Sequence, residues 1–283
     1  MPEAGSRQTC RSRQARTILA AALIGVAASA AHAETAPCAI AAPCAVFDGF
    51  YLARPPPAWD GKAPLAAMIF FHGHRGSAED TLADPLLAPW AARNGILLVA
   101  AHGKENTWSH PGSPSKFRDE LAYVRSLLAD MRQRYPVDEK RLVAAGFSAG
   151  GSVVWSLACQ LDFRFAAYLP FAGGFWDPLP ERCAAGAGNI FHVHGTSDTT
   201  VPLAGRWIRN TWKQGDIHAG FKRFIAANAC AAPPRSEQKS DLACTHYADC
   251  GSGKALSLCL HPEGHSIRES DIDAAWAWVK ALP

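Results

Sequence analysis

From residue 65 onward, short apolar segments alternate with longer segments that mix apolar and polar residues. The apolar runs cover residues 65–71, 96–101, 142–145, 166–171, 190–193 and 256–260. They are continuous rather than alternating, which is typical of strands covered on both faces in a mostly parallel sheet. The pattern therefore predicts an α/β fold with helices on both faces of a mostly parallel central sheet.

Three stretches predict helices. Residues 117–135 repeat apolar side chains at spacings of three and four, beginning with Phe117, and Pro136 ends the pattern. Residues 149–158 follow the third apolar run, and residues 272–279 are amphipathic. The apolar runs and these helices succeed one another along the chain, which closes on the last of the three helices.

Two segments have no clear pattern. Residues 204–224 carry Trp207 and Trp212 before a helix expected from Asp216. This segment is interpreted either as a cap over a site or as a covering helix whose aromatic residues belong to the core. Residues 231–241 are polar and are expected to form a loop between cysteines.

The first 33 residues have the pattern of an export signal. Four arginines precede an apolar run of 14 residues at 17–30, and residues 31–33 (AHA) form a small-residue cleavage site. The run is too short to span a bilayer comfortably. We expect residues 1–33 to be removed, and residues 34–283 to form one α/β domain in the periplasm or outside the cell.

The excess of positive charge belongs to this predicted signal. The whole chain has a formal charge of +3 at pH 7, and loss of the four signal arginines and of Glu3 brings that charge to zero. A neutral chain gives no reason to expect nucleic acid or an anionic membrane as a partner. The sequence leaves the oligomeric state open.

Eight of the nine cysteines lie outside the predicted signal, which contains Cys10. An even number in an exported chain is typical of disulfides. The residues at 251–253 (GSG) separate two apolar segments, and a hairpin centred on Ser252 brings Cys244 opposite Cys259 to within about one residue of register. The remaining cysteines are paired by proximity, as Cys38–Cys44, Cys159–Cys183 and Cys230–Cys250.

Ser148 lies at the centre of a G-x-S-x-G motif, between the third apolar run and the helix expected after it. In a nucleophile elbow the serine occupies a sharp strand-to-helix bend, and Gly146 and Gly150 leave room for the backbone to fold back. The alternative is a plain glycine-rich turn, since a pattern this short also occurs by chance.

A serine nucleophile needs a histidine base that is oriented by a carboxylate. Asp198 follows the run at 190–193, and His265 follows the run at 256–260. Both come directly after buried strands, where open α/β sheets place their sites, and the order Ser, Asp, His is that of α/β-hydrolases. Alone, Asp198 is equally consistent with a turn, and His265 with a loop.

The loop after residues 65–71 is expected to stabilise the oxyanion. We assign the hole to the backbone N–H groups of His74 and of Ala149, the residue after the nucleophile. His74 also forms a pair with His72, as His194 does with His192, but neither pair has a third ligand at a usable spacing. We therefore expect no metal and no cofactor.

These motifs together resemble the bacterial polyhydroxybutyrate depolymerase-like esterases, a group related to secreted feruloyl and acetylxylan esterases within the α/β-hydrolase fold. The resemblance rests on residues 146–151 (GFSAGG), 72–73 (HG), 194–202 (HGTSDTTVP) and 264–265 (GH). It implies a carboxylic ester hydrolase with Ser148 as nucleophile, Asp198 as orienting acid and His265 as base.

The resemblance does not specify the substrate. Such esterases often have Trp-Pro shortly after the Gly-His, whereas residues 266–268 (SIR) follow here, so soluble hydroxyalkanoate oligomers or acyl-sugar esters are expected rather than solid polyester. Trp108, Phe175 and Trp176 are expected either to line the substrate pocket or to pack ordinarily. A catalytically silent binding protein and a serine peptidase are the alternatives in function.

Overall fold

The structure is a computed structural model that describes residues 38–160, 165–183, 188–231 and 233–283, so the predicted signal at 1–33 lies outside the described residues. It has twelve named strands in the described residues, in chain order β1 Cys44–Val46, β2 Gly49–Arg54, β3 Leu65–Phe71, β4 Ile96–Ala101, β5 Val137–Phe147, β6 Ala167–Phe171, β7 Ile190–Gly195, β8 Arg206–Ile208, β9 Trp212–Gln214, β10 Arg235–Lys239, β11 Leu242–Tyr247 and β12 Leu256–His261.

Six α-helices lie between and after the strands in the described residues. They are α1 Ala78–Ala83, α2 Leu87–Arg93, α3 Glu120–Arg134, α4 Ala149–Gln160, α5 Ile217–Ala227 and α6 Glu269–Lys280, with a short 3-10 helix at Lys104–Asn106. Within the described ranges, no helix combines the length and the apolar character that a bilayer span requires.

Ten strands form one sheet in the order β1-β2-β4-β3-β5-β6-β7-β12-β11-β10, and β8 and β9 form a separate hairpin. The six central strands, from β4 to β12, pair in parallel, whereas the outer strands at both ends are antiparallel. The predicted α/β fold with a mostly parallel sheet is therefore confirmed. The carboxyl ends of all six parallel strands meet at one edge.

The sheet has a separate apolar layer on each face. Helices α3, α4 and α5 cover one face, and α1, α2 and α6 cover the other. Along β3, Ala67, Ile69 and Phe71 face the first layer, while Met68 and Phe70 face the second. Because strands in this position are buried on both faces, their sequences are continuously apolar.

Several sequence interpretations are wrong in detail. Residues 235–239, expected in a loop, form the edge strand β10, whose side chains are all exposed and therefore carry no apolar pattern. Phe117 was expected to start the apolar face of α3, but the helix begins at Glu120, capped by Asp119, and Phe117 is exposed. The polar turn before the helix interrupts the periodicity there.

Four disulfides join the described cysteines, with the pairings expected from the sequence. Cys244 and Cys259 are directly opposite in the β11–β12 register and are bonded. The other three bonds are Cys38–Cys44, Cys159–Cys183 and Cys230–Cys250. Several disulfides fit a protein that works in an oxidising compartment.

The bond between β11 and β12 is expected to stabilise the fold more than the bond at the amino-terminal end. It closes a loop over a sequence separation of 15 residues, against 6 for Cys38–Cys44. By the chain-entropy relation, Cys244→Ala with Cys259→Ala should lower the free energy of unfolding by about 3 kcal/mol, and Cys38→Ala with Cys44→Ala by about 2 kcal/mol.

Urea denaturation of both double variants measures these losses, and peptide mapping of the unreduced protein checks the bonds themselves. A larger loss for the Cys38–Cys44 variant would contradict the chain-entropy account. A free Cys244 or Cys259 would contradict the pairing.

Candidate active site

Ser148 occupies a sharp bend between β5 and α4. Its φ is 57°, in the left-handed region that side chains other than glycine rarely adopt. The backbone around it is held by hydrogen bonds from the Ser148 N–H to the Phe171 carbonyl at 2.9 Å and from the Ser152 N–H to the Ser148 carbonyl at 3.0 Å. This conformation raises the side chain above the carboxyl ends of the strands.

The glycines of the motif are required by close backbone contacts. A Cβ on Gly146 would lie 2.6 Å from the carbonyl carbon of Gly150, and a Cβ on Gly150 would overlap the Phe71 carbonyl. Gly151 has the same restriction, because its Cβ would lie 2.7 Å from the Phe171 carbonyl oxygen. The bend therefore packs directly on the ends of β3 and β6, and larger residues are excluded.

The three residues singled out from the sequence meet at this edge. His265 Nε2 lies 2.9 Å from Ser148 Oγ, and His265 Nδ1 lies 2.7 Å from Asp198 Oδ2. In the arrangement that satisfies both contacts, the serine hydroxyl donates to Nε2 and Nδ1–H donates to the carboxylate. The side chain of Asp198 is fully buried, and that of His265 is 18% exposed, so only the histidine and serine face solvent.

Asp198 is held in its ionised form although it is buried. Burial raises its pKa, but hydrogen bonds from His194 and His265 and from the Val201 N–H outweigh burial, so the pKa lies well below its usual range. Its Oδ1 accepts from the N–H groups of Thr200 and Val201, both at 2.8 Å. The carboxylate is therefore a fixed negative group behind the imidazole.

The loops that carry the acid and the base are bonded to each other. The Thr196 N–H donates to the His261 carbonyl at 2.8 Å, and the Ser197 N–H donates to the Glu263 carbonyl at 3.1 Å. Gly195 is required here because a Cβ would overlap the backbone at residues 263–264. Since β7 and β12 are neighbours in the sheet, these bonds continue the strand pairing into the loops.

The loop after β3 lies beside the nucleophile, as expected for an oxyanion loop. A Cβ on Gly73 would lie 3.6 Å from Ser148 Cβ. His72 Nε2 accepts from the Gly103 N–H at 2.9 Å, so its Nδ1–H donates to the Gly73 carbonyl at 2.7 Å. Burial lowers the pKa of His72 to about 4, so the ring stays neutral and fixes the loop at ordinary pH.

The two backbone groups assigned to the oxyanion hole flank this contact. Ala149 is the first residue of α4, so its N–H is outside the helical hydrogen-bond ladder. His74 follows Gly73, and its Nδ1 lies 3.1 Å from Thr107 Oγ1. Their role in the oxyanion hole stays a prediction.

A cavity of about 210 Å³ lies between the loop after β3, helices α1 and α2, and the start of α6. Gly73, Phe147 and Ile267 belong to its wall, and the Phe147 ring contacts His265 with centroids 4.8 Å apart. Phe147 and Ile267 were not singled out from the sequence. Their only signal is position, directly before Ser148 and two residues after His265.

Of the three aromatic residues expected either to line a pocket or to pack ordinarily, two are buried in the core. Trp108 is 1% exposed, and its Nε1–H donates to the His72 carbonyl at 2.7 Å, so it supports the oxyanion loop from below. Phe175 is 7% exposed and packs against Trp155 and Phe224. Trp176 is partly exposed and remains a candidate for substrate contact.

The segment at 204–224 forms a hairpin followed by a helix. Strands β8 and β9 form the hairpin, and Asp216 caps α5 as expected. Arg206 Nε donates to the Thr200 carbonyl at 2.8 Å, so the hairpin contacts the loop of the acid. Trp207 is 59% exposed, so its interpretation as a core aromatic is wrong.

Comparison with known proteins supports the class that this site suggests, although no protein-family model matches the chain. The chain is 25% identical over 236 residues to feruloyl esterase B of Piromyces equi, covering 80% of this chain but 44% of that relative. It is 23% identical over 249 residues to a probable feruloyl esterase C of Aspergillus clavatus, covering 82% and 83% of the two chains.

Among solved structures, an acetyl xylan esterase from Aspergillus awamori has a TM-score of 0.58 and 13% identity, covering 81% of this chain and 94% of that one. At this identity the likeness concerns the fold alone. The relatives support a carboxylic ester hydrolase, and the solved structures show the α/β-hydrolase fold. Within that class the chain is similar to the feruloyl and acetylxylan esterases, as its motifs predicted.

The bend at Ser148 should tolerate no side chain at Gly150. We expect Gly150→Ala to lower the free energy of unfolding by at least about 3 kcal/mol, because the added methyl group overlaps the Phe71 backbone. Gly264→Ala is the matched control, since its Cβ would lie 3.6 Å from the Ser197 carbonyl oxygen, an ordinary contact. Urea denaturation measures both, and a Gly150→Ala midpoint equal to that of Gly264→Ala would contradict the packing argument.

Proposed function

We propose that the protein is a serine esterase that hydrolyses acyl-sugar esters through an acyl-Ser148 intermediate. The observation that carries the proposal is the continuous series of hydrogen bonds from Ser148 through His265 to Asp198. A buried carboxylate with a strongly lowered pKa, a histidine in contact with it and a strained serine are the groups that acyl transfer requires.

In this mechanism His265 removes the proton from Ser148 Oγ as the oxygen attacks the ester carbonyl. The N–H groups of Ala149 and His74 stabilise the resulting oxyanion. His265 then gives the proton to the leaving alcohol, and a water molecule activated by the same imidazole hydrolyses the acyl-enzyme. Asp198 remains ionised throughout and holds the proton of Nδ1 in place.

The cavity whose wall includes Gly73 and Phe147, the residue before Ser148, is proposed to take the acyl group. A volume of about 210 Å³ suits a short or single-ring acyl group better than a polymer chain. Its wall includes Phe70 and Leu87, while Asp80 and Asp84 lie at its edge. These carboxylates can accept hydrogen bonds from hydroxyl groups, so acyl groups that carry a hydroxyl are favoured.

We further propose that the enzyme acts in the periplasm or outside the cell. The four disulfides and the signal pattern at residues 1–33 support this location. A catalytically silent binding protein would not need a strained serine in hydrogen-bond contact with a paired histidine. A peptidase remains an outcome of the substrate test.

Ser148 is expected to be the residue labelled by a fluorophosphonate probe, with Ser152, one turn later in α4, unlabelled.

Asp198→Asn should fold normally yet lower both kcat and the labelling rate by roughly 10⁴, because an amide favours the wrong imidazole tautomer. Mass spectrometry of the labelled protein locates the adduct. Absence of labelling in a folded wild-type protein would favour the binding protein.

The substrate class is tested with four matched panels: hydroxycinnamoyl-arabinose esters, acetylated xylo-oligosaccharides, hydroxybutyrate oligomers and amide analogues. We expect the highest kcat/KM on the hydroxycinnamoyl or acetyl sugars, with little turnover of amides. Narrowing the cavity by Gly73→Ala should penalise the bulky acyl group more than acetyl. A preference for hydroxybutyrate oligomers or amides would overturn the substrate proposal while leaving the mechanism intact.

A further inference from the structure

Behind the acid of the triad lies a chain of buried side chains that the proposed mechanism does not use. The Trp155 Nε1–H donates to His192 Nδ1 at 3.1 Å, and His192 Nε2 lies 3.0 Å from His194 Nδ1. His194 Nε2 then lies 2.7 Å from the Val201 carbonyl oxygen and 3.4 Å from Asp198 Oδ2. We refer to Trp155, His192 and His194 as the buried chain.

The hydrogen bonds of the buried chain can run in one direction only. An indole N–H is a donor and never an acceptor, so His192 Nδ1 must accept and its Nε2 must carry the proton. His194 Nδ1 then accepts, and its Nε2–H points at Val201 and Asp198. Every donor of the buried chain therefore points toward the acid.

Both histidines are buried, and His192 is neutral in this arrangement. Their side chains are 0% exposed. Burial and the neighbouring His194 and His218 lower the pKa of His192 well below its usual value. The titratable groups that face the pair are Asp198 on its loop and His218 on α5. The tautomers are set by the directions of the hydrogen bonds.

The end of the buried chain fixes the turn that holds the carboxylate. Val201 is bonded from both sides, because its N–H donates to Asp198 Oδ1 at 2.8 Å and its carbonyl accepts from His194 Nε2 at 2.7 Å. The His194 ring also approaches Oδ2, the oxygen that pairs with His265. Rotation of this ring would release both the turn and the carboxylate.

The start of the buried chain lies in the helix of the nucleophile. Trp155 belongs to α4, which begins directly after Ser148. The contacts therefore close a ring that runs from Ser148 through α4, the buried chain and Asp198 to His265, and from His265 back to Ser148. The distance between nucleophile and acid is thus set by side-chain contacts as well as by the sheet.

We propose that Trp155 and His192 are positioning residues of the catalytic triad, which hold Asp198 against His265 by fixing the tautomer and orientation of His194. This inference rests on the proposed serine mechanism. Neither residue touches the reacting atoms, so substrate binding does not depend on them.

Trp155→Phe is the first test, because it removes the indole donor and keeps an aromatic ring in the core. We expect kcat to fall about tenfold with KM unchanged, as for loss of one buried hydrogen bond that acts on the transition state. Trp90→Phe is the matched control: Trp90 is also 1% exposed, and its Nε1–H donates to Asp273 on the opposite face of the sheet, at 2.8 Å. It should lower the melting temperature comparably and leave kcat within twofold.

His192→Gln is the second test. The glutamine amide N–H can still donate to His194 Nδ1, whereas the imidazole Nδ1 that accepts from Trp155 is lost. We expect it to retain more of kcat than His192→Leu, which leaves His194 Nδ1 without a donor. Equal loss in Trp155→Phe and Trp90→Phe, or equal kcat in the two His192 variants at equal stability, would overturn the positioning role.

Nuclear magnetic resonance separates this inference from the proposed function. Long-range ¹H–¹⁵N spectra of the wild-type protein should show the ring proton of His192 and that of His194 on Nε2, as the directions of the hydrogen bonds require. A cationic ring or an Nδ1–H tautomer at either position would overturn the inference, whatever the enzyme hydrolyses. If the spectra agree but Ser148 is not labelled by the fluorophosphonate, the serine mechanism fails and the positioning role fails with it.

Discussion

The packing of Gly150 against the carbonyl of Phe71, where a Cβ on residue 150 would overlap the Phe71 backbone, is the constraint on which the site depends. It brings the first turn of α4 against the end of β3, so the chain must reverse sharply at Ser148, and the backbone there is forced to a φ of 57°. The bend positions three groups together: the serine hydroxyl, the N–H at the start of α4 and the loop after β3. A larger residue at Gly150 separates them.

The acidic and basic side chains of the site differ in their burial, and each degree of burial suits the role proposed for that side chain. The Asp198 carboxylate is buried, and hydrogen-bond donors fix its orientation. Because it is shielded from water, its electrostatic interaction with His265 is stronger than it would be in solvent. The His265 side chain is partly exposed, so it lies between the buried carboxylate and solvent. Hydrogen bonds between the backbones of the two loops join these environments, and the pairing of β7 with β12 keeps them aligned.

The parts of this structure that depend on local sequence patterns could be predicted from the sequence. Central strands such as β3 and β4 were predicted at their observed bounds because residues buried on two faces are uniformly apolar. That Ser148, Asp198 and His265 would lie together could be expected because each follows such a strand, and their side chains are in hydrogen-bond contact. The pairing of Cys244 with Cys259 was expected because the turn residues between the two strands set their register.

Features that depend on packing between distant segments were missed or misread. Trp108 looked like a loop aromatic near the site, yet it is buried below the oxyanion loop, since a loop residue gives no sign of which way it faces. His192 was noted as half of a possible metal pair. Its partner Trp155 is 37 residues away along the chain, and only the packing of α4 on the sheet brings the two together.

The free edge of the sheet has a consequence for the protein at high concentration. Strand β10 ends the ten-stranded sheet, and all five of its side chains are exposed, including Arg235, Glu237 and Lys239. An unpaired strand can recruit the strand of another molecule, and alternating charges along it make that recruitment unfavourable. Strand β10 was not predicted because its side chains are polar and show no apolar pattern. The same polar side chains therefore protect the folded enzyme from edge-to-edge aggregation.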